Sequence, residues 1–245
     1  MIDLNSLTVG EIVTLNRHAA VIFEKYQIDF CCQGKRNFAE ACRMGGLNPH
    51  EVADEINSIA AETSLTDFSN WRLDRLIDYI YENHHVYIEK TTPVIKNLLS
   101  KIGSVHGKLH PELLEIQKIF EATSGELAAH MKKEELILFP LIKKLLRAHN
   151  GEGIVNYSLY GALAGAIEKM EHDHVSEGEE LQRLSLLSNH FTPPSDACLS
   201  YVTAYTMLHE YTNDMHLHIH LENNVLFPRA IALEQQLIKK VSEVK

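Results

Sequence analysis

One eleven-residue pattern occurs twice in this chain, and it restricts the fold more than any other feature. His130-Met-Lys-Lys-Glu134-Glu-Leu-Ile-Leu138-Phe139-Pro140 returns as His218-Ile-His-Leu-Glu222-Asn-Asn-Val-Leu226-Phe227-Pro228, so both copies read His-x-x-x-Glu-x-x-x-Leu-Phe-Pro at an offset of 88 residues. Residues four apart on an α-helix share a face, so each copy directs an imidazole and a carboxylate at one small site. Solvated helix faces also carry such pairs, but they do not require both ligand types to recur in register. Bundle proteins that hold two metal ions build the site from inward-facing side chains on neighbouring helices, with carboxylates shared between the ions. Two His-x-x-x-Glu helices thus offer two nitrogens and two bridging carboxylates, and two more helices must supply the other nitrogens.

The rest of the chain reads as helix almost throughout, with no sustained β-type alternation. The expectation is an all-α protein with an up-and-down four-helix bundle preceded by a small helical domain. Residues 1–65 form that small domain. Thr8 with Glu11 is a capping-box pattern for a helix reaching about Phe23, Asn37 with Glu40 opens a short helix ended by Gly45 and Gly46, and Asn48, Pro49 and Glu51 open a third. The polar stretch Thr63 to Asn70 reads as a linker. Residues 66–245 then carry four long helical patterns, roughly Leu73 to Val105, Pro111 to Arg147, Leu159 to Leu187 and Ser195 to Leu221. Short breaks join them, as an up-and-down bundle requires.

Height along such a bundle selects the missing ligands. Counting back from the Lys108 turn by as many residues as His130 lies beyond it reaches position 86, where the sequence offers the neighbouring His84 and His85, because all helices share a rise of ~1.5 Å per residue. Counting through the Gly151 turn reaches Glu171-His172-Asp173-His174. The repeat offset favours His85 and His172, with His84 and His174 as the alternates. His106 shares the face of His85 but lies 21 residues further on, about 30 Å along a continuous helix, so His106 and His110 read as turn residues. Glu126 and Asp214, one turn before His130 and His218, are candidates to orient those ligands.

Composition narrows the function classes. Lys and Arg number 23 against 33 Asp and Glu, a formal charge of −10 with no basic cluster, which argues against nucleic acid and anionic membrane surfaces as partners. Fifteen histidines in 245 residues suggest metal or proton chemistry. Four cysteines, Cys31, Cys32, Cys42 and Cys198, are too few for a disulfide scaffold. With no signal-peptide pattern and no window of 18 apolar residues, a cytoplasmic location is expected. Cys31 and Cys32 are adjacent and cannot form a relaxed disulfide. Nearby Lys35 could favour a thiolate, which would make the pair nucleophilic or metal-binding. The Leu-Phe-Pro ends read as packing followed by a helix kink or stop.

Asp29-Phe-Cys-Cys-Gln-Gly-Lys35, Val105-His-Gly-x-x-His-Pro-Glu-Leu113, Glu171-His-Asp173 and Leu221-Glu-Asn-Asn-Val-Leu-Phe-Pro-Arg-Ala230 stand in this order along the chain. Together they resemble the RIC (repair of iron centres) family over nearly its whole length. The resemblance implies a hemerythrin-like bundle with two non-haem iron ions, oxo- and carboxylate-bridged, held by four histidines and two glutamates. Carried over by position, the ligands fall on His85, His130, Glu134, His172, His218 and Glu222. The family's vicinal cysteines fall on Cys31 and Cys32, with a redox or iron-transfer role; Cys42 and Cys198 inherit none. The implied function is repair of iron–sulfur clusters damaged by nitrosative or oxidative stress, by donating iron to the damaged proteins. The alternatives are a di-iron enzyme reducing nitric oxide or peroxide and a non-catalytic sensor of O2 or NO; a homodimer through the small domain stays open. Hemerythrin-like oxygen carriers resemble this pattern with one more histidine, four residues from the third-helix ligand, where this chain has Glu168 and Ser176. A site one nitrogen short should release iron more readily.

Overall fold

The computed structural model describes residues 4–60, 67–152 and 161–243. All the regular elements among them are helical: α1 Val9–Leu15, α2 Ala19–Lys25, α3 Phe38–Met44, α4 Pro49–Ala60, α5 Leu73–Ile80, α6 Val86–His106, α7 Glu112–Lys133, α8 Phe139–His149, α9 Ala162–Leu187, α10 Leu199–His220 and α11 Phe227–Glu243. Two compact units divide the chain. Met1–Asp78, Leu141–Ile167 and His216–Lys245 form the first, and Tyr79–Pro140 with Glu168–Met215 form the second. The expected linker and the boundary near residue 65 fall largely on 61–66, outside the described residues.

The second unit is the up-and-down bundle. On α6 and α10, Lys101 Nζ meets Ser200 Oγ at 3.0 Å, Thr92 Oγ1 meets Tyr211 Oη at 3.5 Å, and upstream of α6 His84 Nδ1 meets Asp214 Oδ1 at 3.0 Å. Rising numbers on one chain pair with falling numbers on the other, so the two run antiparallel. Arg183 with Glu115, and Asp173 with His130, order α9 against α7 in the same sense. Ile88, Ile95, Leu99 and Ile102 of α6, Leu113, Ile116 and Phe120 of α7, Leu181 and Leu184 of α9 and Tyr201, Ala204, Tyr205 and Leu208 of α10 are all buried at three-four spacing, the apolar stripe a bundle helix needs.

In the first unit, α1 carries the expected capping box, Glu11 N–H donating to Thr8 Oγ1 and Thr8 N–H to Glu11 Oε2. The helix stops at Leu15 rather than near Phe23, because Asn16 turns extended (φ −145°) and its side chain accepts the His18 N–H. Asn37 caps α3 as expected, and Gly46, at φ +68°, turns the chain out of it where a side chain would be strained. Phe23 packs against Phe30 and Phe38 at ring separations of 6.1 and 6.2 Å. The N-terminal segment is not compact alone. Glu24 meets His216 at the end of α10, and Arg229 of α11 donates to the carbonyl of Trp71, just before α5.

Candidate metal centre

Among the described residues, three wide turns of π geometry interrupt the long helices, and each carries residues of the repeat or its partner: Tyr81–His85, Glu134–Leu138 and Leu221–Leu226. In each, a backbone N–H reaches back five residues instead of four, from Val86 to Tyr81, Phe139 to Glu134 and Phe227 to Glu222. Proline accounts for two of them. Pro140 and Pro228 lack an N–H and their rings conflict with the carbonyl four residues earlier, which a wider turn relieves. The Leu-Phe-Pro ends therefore widen the helix, which continues through both prolines, rather than stopping it. Nothing in the sequence around Tyr81–His85 explains the third.

In the second unit the turns Tyr81–His85 and Glu134–Leu138 meet at Glu134, which is wholly buried. Its two oxygens address different imidazoles: Oε1 lies 3.0 Å from His130 Nε2, and Oε2 lies 3.5 Å from His85 Nε2. The ligand atoms of His130, Glu134 and His174 lie within 4.8 Å of one another, with the His130 and His174 rings 4.8 Å apart. Two donors each about 2.1 Å from one ion at right angles stand ~3.0 Å apart, so the His130–Glu134 separation suits a metal ion held between the two donors. His85 Nδ1 is hydrogen-bonded to Glu135 at 3.1 Å, and a carboxylate behind an imidazole fixes its orientation and leaves Nε2 for a metal. Behind His130, Asp173 and Glu177 stand 3.4 and 3.8 Å from Nδ1, which makes no hydrogen bond, so they act on this ring by charge alone. Burial alone would lower the pKa of His130, but the hydrogen bond and charge of Glu134, with Glu177, outweigh it and raise it to about 9. Burial likewise works against ionised Glu135, but Lys132 and His85 prevail and hold it below its usual value.

The first unit carries the second copy of the repeat. His218 and Glu222 are both fully buried, with Nε2 and Oε1 3.4 Å apart, close to the His130–Glu134 geometry. Beside them the cysteine turn is fastened to the Leu221–Leu226 turn. Asn224 Nδ2 donates to the carbonyls of Phe30 and Cys31 at 3.2 and 3.1 Å, and Asn223 Nδ2 to that of Cys31 at 3.4 Å. These asparagines stand where the first copy has Glu135 and Leu136. His220 is buried against Phe30, with Thr14 Oγ1 at 3.3 Å, and burial lowers its pKa to about 4. Cys31 is buried and Cys32 half-buried. The hydrogen bond to Cys32 and burial push the Cys31 thiol well above its ordinary value, with Asp29 adding to the effect, so Lys35 does not turn Cys31 into a thiolate.

Several expectations need correction. His172 is exposed, and His174, two residues on, is the buried one. The reason is helical phase: Ile167, Met170, His174, Glu177, Leu181 and Leu184 are buried in strict three-four alternation on α9, and His172 falls on the opposite face. Height counting through the Gly151 turn lands on position 172, and the 88-residue offset from His85 lands on Asp173; neither takes account of the angle around the helix. The apolar phase of α9 was the available signal, and it also picks out Glu177. Glu126 is exposed, and Asp214 pairs with His84. Glu168 and Ser176 are exposed, while Met170 and Gly178, four residues from His174, offer no nitrogen ligand. His106 and His110 stay at the far end of the bundle, with Cys198 Sγ and Asp196 at 3.2 and 3.1 Å respectively.

Comparison with known proteins finds two domain families. A hemerythrin HHE cation binding domain matches residues 76–230, and the ScdA_N domain, of unknown function, matches 5–60. The chain is 32% identical to the iron-sulfur cluster repair protein YtfE of Citrobacter koseri over 226 residues, 92% of this chain and 97% of that protein. YtfE of Escherichia coli O157:H7 matches to the same extent.

Proposed function

Because this chain belongs to the iron–sulfur cluster repair family, with a hemerythrin-type cation-binding domain, we propose that it repairs damaged clusters by giving up iron from a two-ion centre. His85, His130, His174 and Glu134 hold the ions from one copy of the repeat and its partner helices, and His218 and Glu222 supply the matching nitrogen and carboxylate from the other. Supporting this set are the repeat itself, the like geometry of its two His–Glu pairs and the span of the hemerythrin match across both. Mixed imidazole and carboxylate donors suit iron. The proteins whose clusters are restored are its targets.

The observation that carries the reading is Glu134, buried with one oxygen toward each of two imidazoles, as a carboxylate shared by two ions requires. Bound iron supplies exchangeable metal at this site. The residues set how firmly it is kept: Glu135 orients the His85 imidazole and Asp173 and Glu177 place negative charge behind His130, whereas no nitrogen ligand stands four residues from His174. That deficit relative to the oxygen-carrier pattern favours release.

The test is transfer. Iron-loaded protein is incubated with an iron–sulfur enzyme whose cluster has been degraded by nitric oxide, under reducing anaerobic conditions. Recovery of the enzyme's activity with matching loss of iron from this protein is the expected result. Retention of iron with no recovery, or repeated production of nitrous oxide without iron loss, overturns donation.

A further inference from the structure

The cysteine turn holds a second group of metal-binding atoms, made only of residues in the first unit. Ligand atoms of Asp29, Cys31 and Cys32 lie within 4.8 Å of one another. Cys31 Sγ and Cys32 Sγ are 3.7 Å apart, and Cys31 Sγ is 3.3 Å from Asp29 Oδ1. A disulfide requires sulfurs about 2.0 Å apart, in a geometry an adjacent pair cannot reach unstrained. Two thiolates bound at about 2.3 Å to one tetrahedral ion instead stand ~3.7 Å apart, which is the spacing found.

We propose that Cys31, Cys32 and Asp29 form a separate site for one thiophilic divalent cation, open to solvent on the Asp29 side. The turn is preset for it. The N–H groups of Cys31 and Cys32 donate to Asp29 Oδ1 at 3.1 and 2.8 Å, which fixes the carboxylate beside the two sulfurs. Asn223 and Asn224 pin the carbonyls on the opposite side of the turn. Binding releases one proton from each thiol as the two sulfur–metal bonds form, with no change of oxidation state. The high pKa of Cys31 fits this role better than that of a free nucleophile, because the cation itself supplies the charge that stabilises the thiolate. Soft thiolate donors also separate this site from the imidazole–carboxylate set proposed for iron.

Iron-loaded full-length protein titrated anaerobically with Cd2+ tests the site, read by thiolate-to-cadmium charge-transfer absorption and by metal analysis. One cadmium per chain with unchanged iron is expected. Cys31→Ser and Cys32→Ser should each halve the band and weaken binding at least about tenfold; Cys32 is half-buried, so its variant keeps the fold if Cys31→Ser does not. Asp29→Asn should weaken binding with the band retained, and Cys198→Ser should change nothing. The proposal fails if stoichiometric cadmium gives no such band, if the band survives Cys32→Ser undiminished, or if cadmium enters only as iron leaves.

Discussion

Replacing His174 with alanine, beside the same change at His172, separates two neighbouring histidines by their depth. His174 is wholly buried, with its ligand atom within 4.8 Å of those of His130 and Glu134, whereas His172 is exposed. Residues that only orient a ligand are worth roughly 10- to 100-fold in metal affinity. At about 1.4 kcal/mol per tenfold, that is roughly 1.4–2.8 kcal/mol. Removing one imidazole outright should cost at least the upper end, so His174→Ala should lower the affinity for iron by about 100-fold or more. His172→Ala touches no part of the centre, and an exposed substitution shifts stability by no more than about 0.5 kcal/mol. The assay is iron per chain after equilibration with a graded series of competing chelator, with the urea midpoint of each metal-free variant measured to separate lost ligation from lost folding. His174→Gln, closer in volume, should behave like the alanine variant. The reasoning is refuted if His172→Ala sheds iron while His174→Ala keeps a wild-type complement.

Two further outcomes follow from the same geometry. A Cβ on Gly34 would lie 2.1 Å from Asn224 Oδ1 and 2.5 Å from its Cγ, and the amide cannot swing aside without giving up the Phe30 and Cys31 carbonyls. Gly34→Ala should destabilise the protein by about 1–3 kcal/mol, and much of that cost should vanish in an Asn224→Ala background; additive urea midpoints would show that the clash is not what matters. At the far end of the bundle, Asp196 beside His110 raises the histidine pKa above 6.5, and His110 in turn lowers that of Asp196. The pair's contribution should be present at and below the unfolded histidine value and be lost as pH rises through the raised one, with a second loss in acid as Asp196 protonates. Asp196→Asn should bring the His110 titration back down when followed by NMR, and an unchanged titration would rule out the pairing as its cause.

Much of this protein is written along the chain. The three-four apolar spacing, the caps at Thr8 and Asn37, and the 88-residue recurrence of His-x-x-x-Glu are local patterns, and helix geometry converts them directly into faces and heights. His174 belongs partly to this class, since the phase of Ile167, Met170, Leu181 and Leu184 places it inward and His172 outward. Height fixes only the level along a helix, and the angle around it decides which neighbour is buried.

What lies beyond the sequence is contact between distant segments. No local rule pairs Asn224 with Cys31, 193 residues away, or makes Glu135 and Asp173 the carboxylates behind His85 and His130. The wide turn at Tyr81–His85 has no proline to announce it. The repeat determined that a His–Glu pair exists on each of two helices. Only the packed structure decided that Glu134 divides its two oxygens between His130 and His85, because that choice depends on which side chains burial leaves opposite one another.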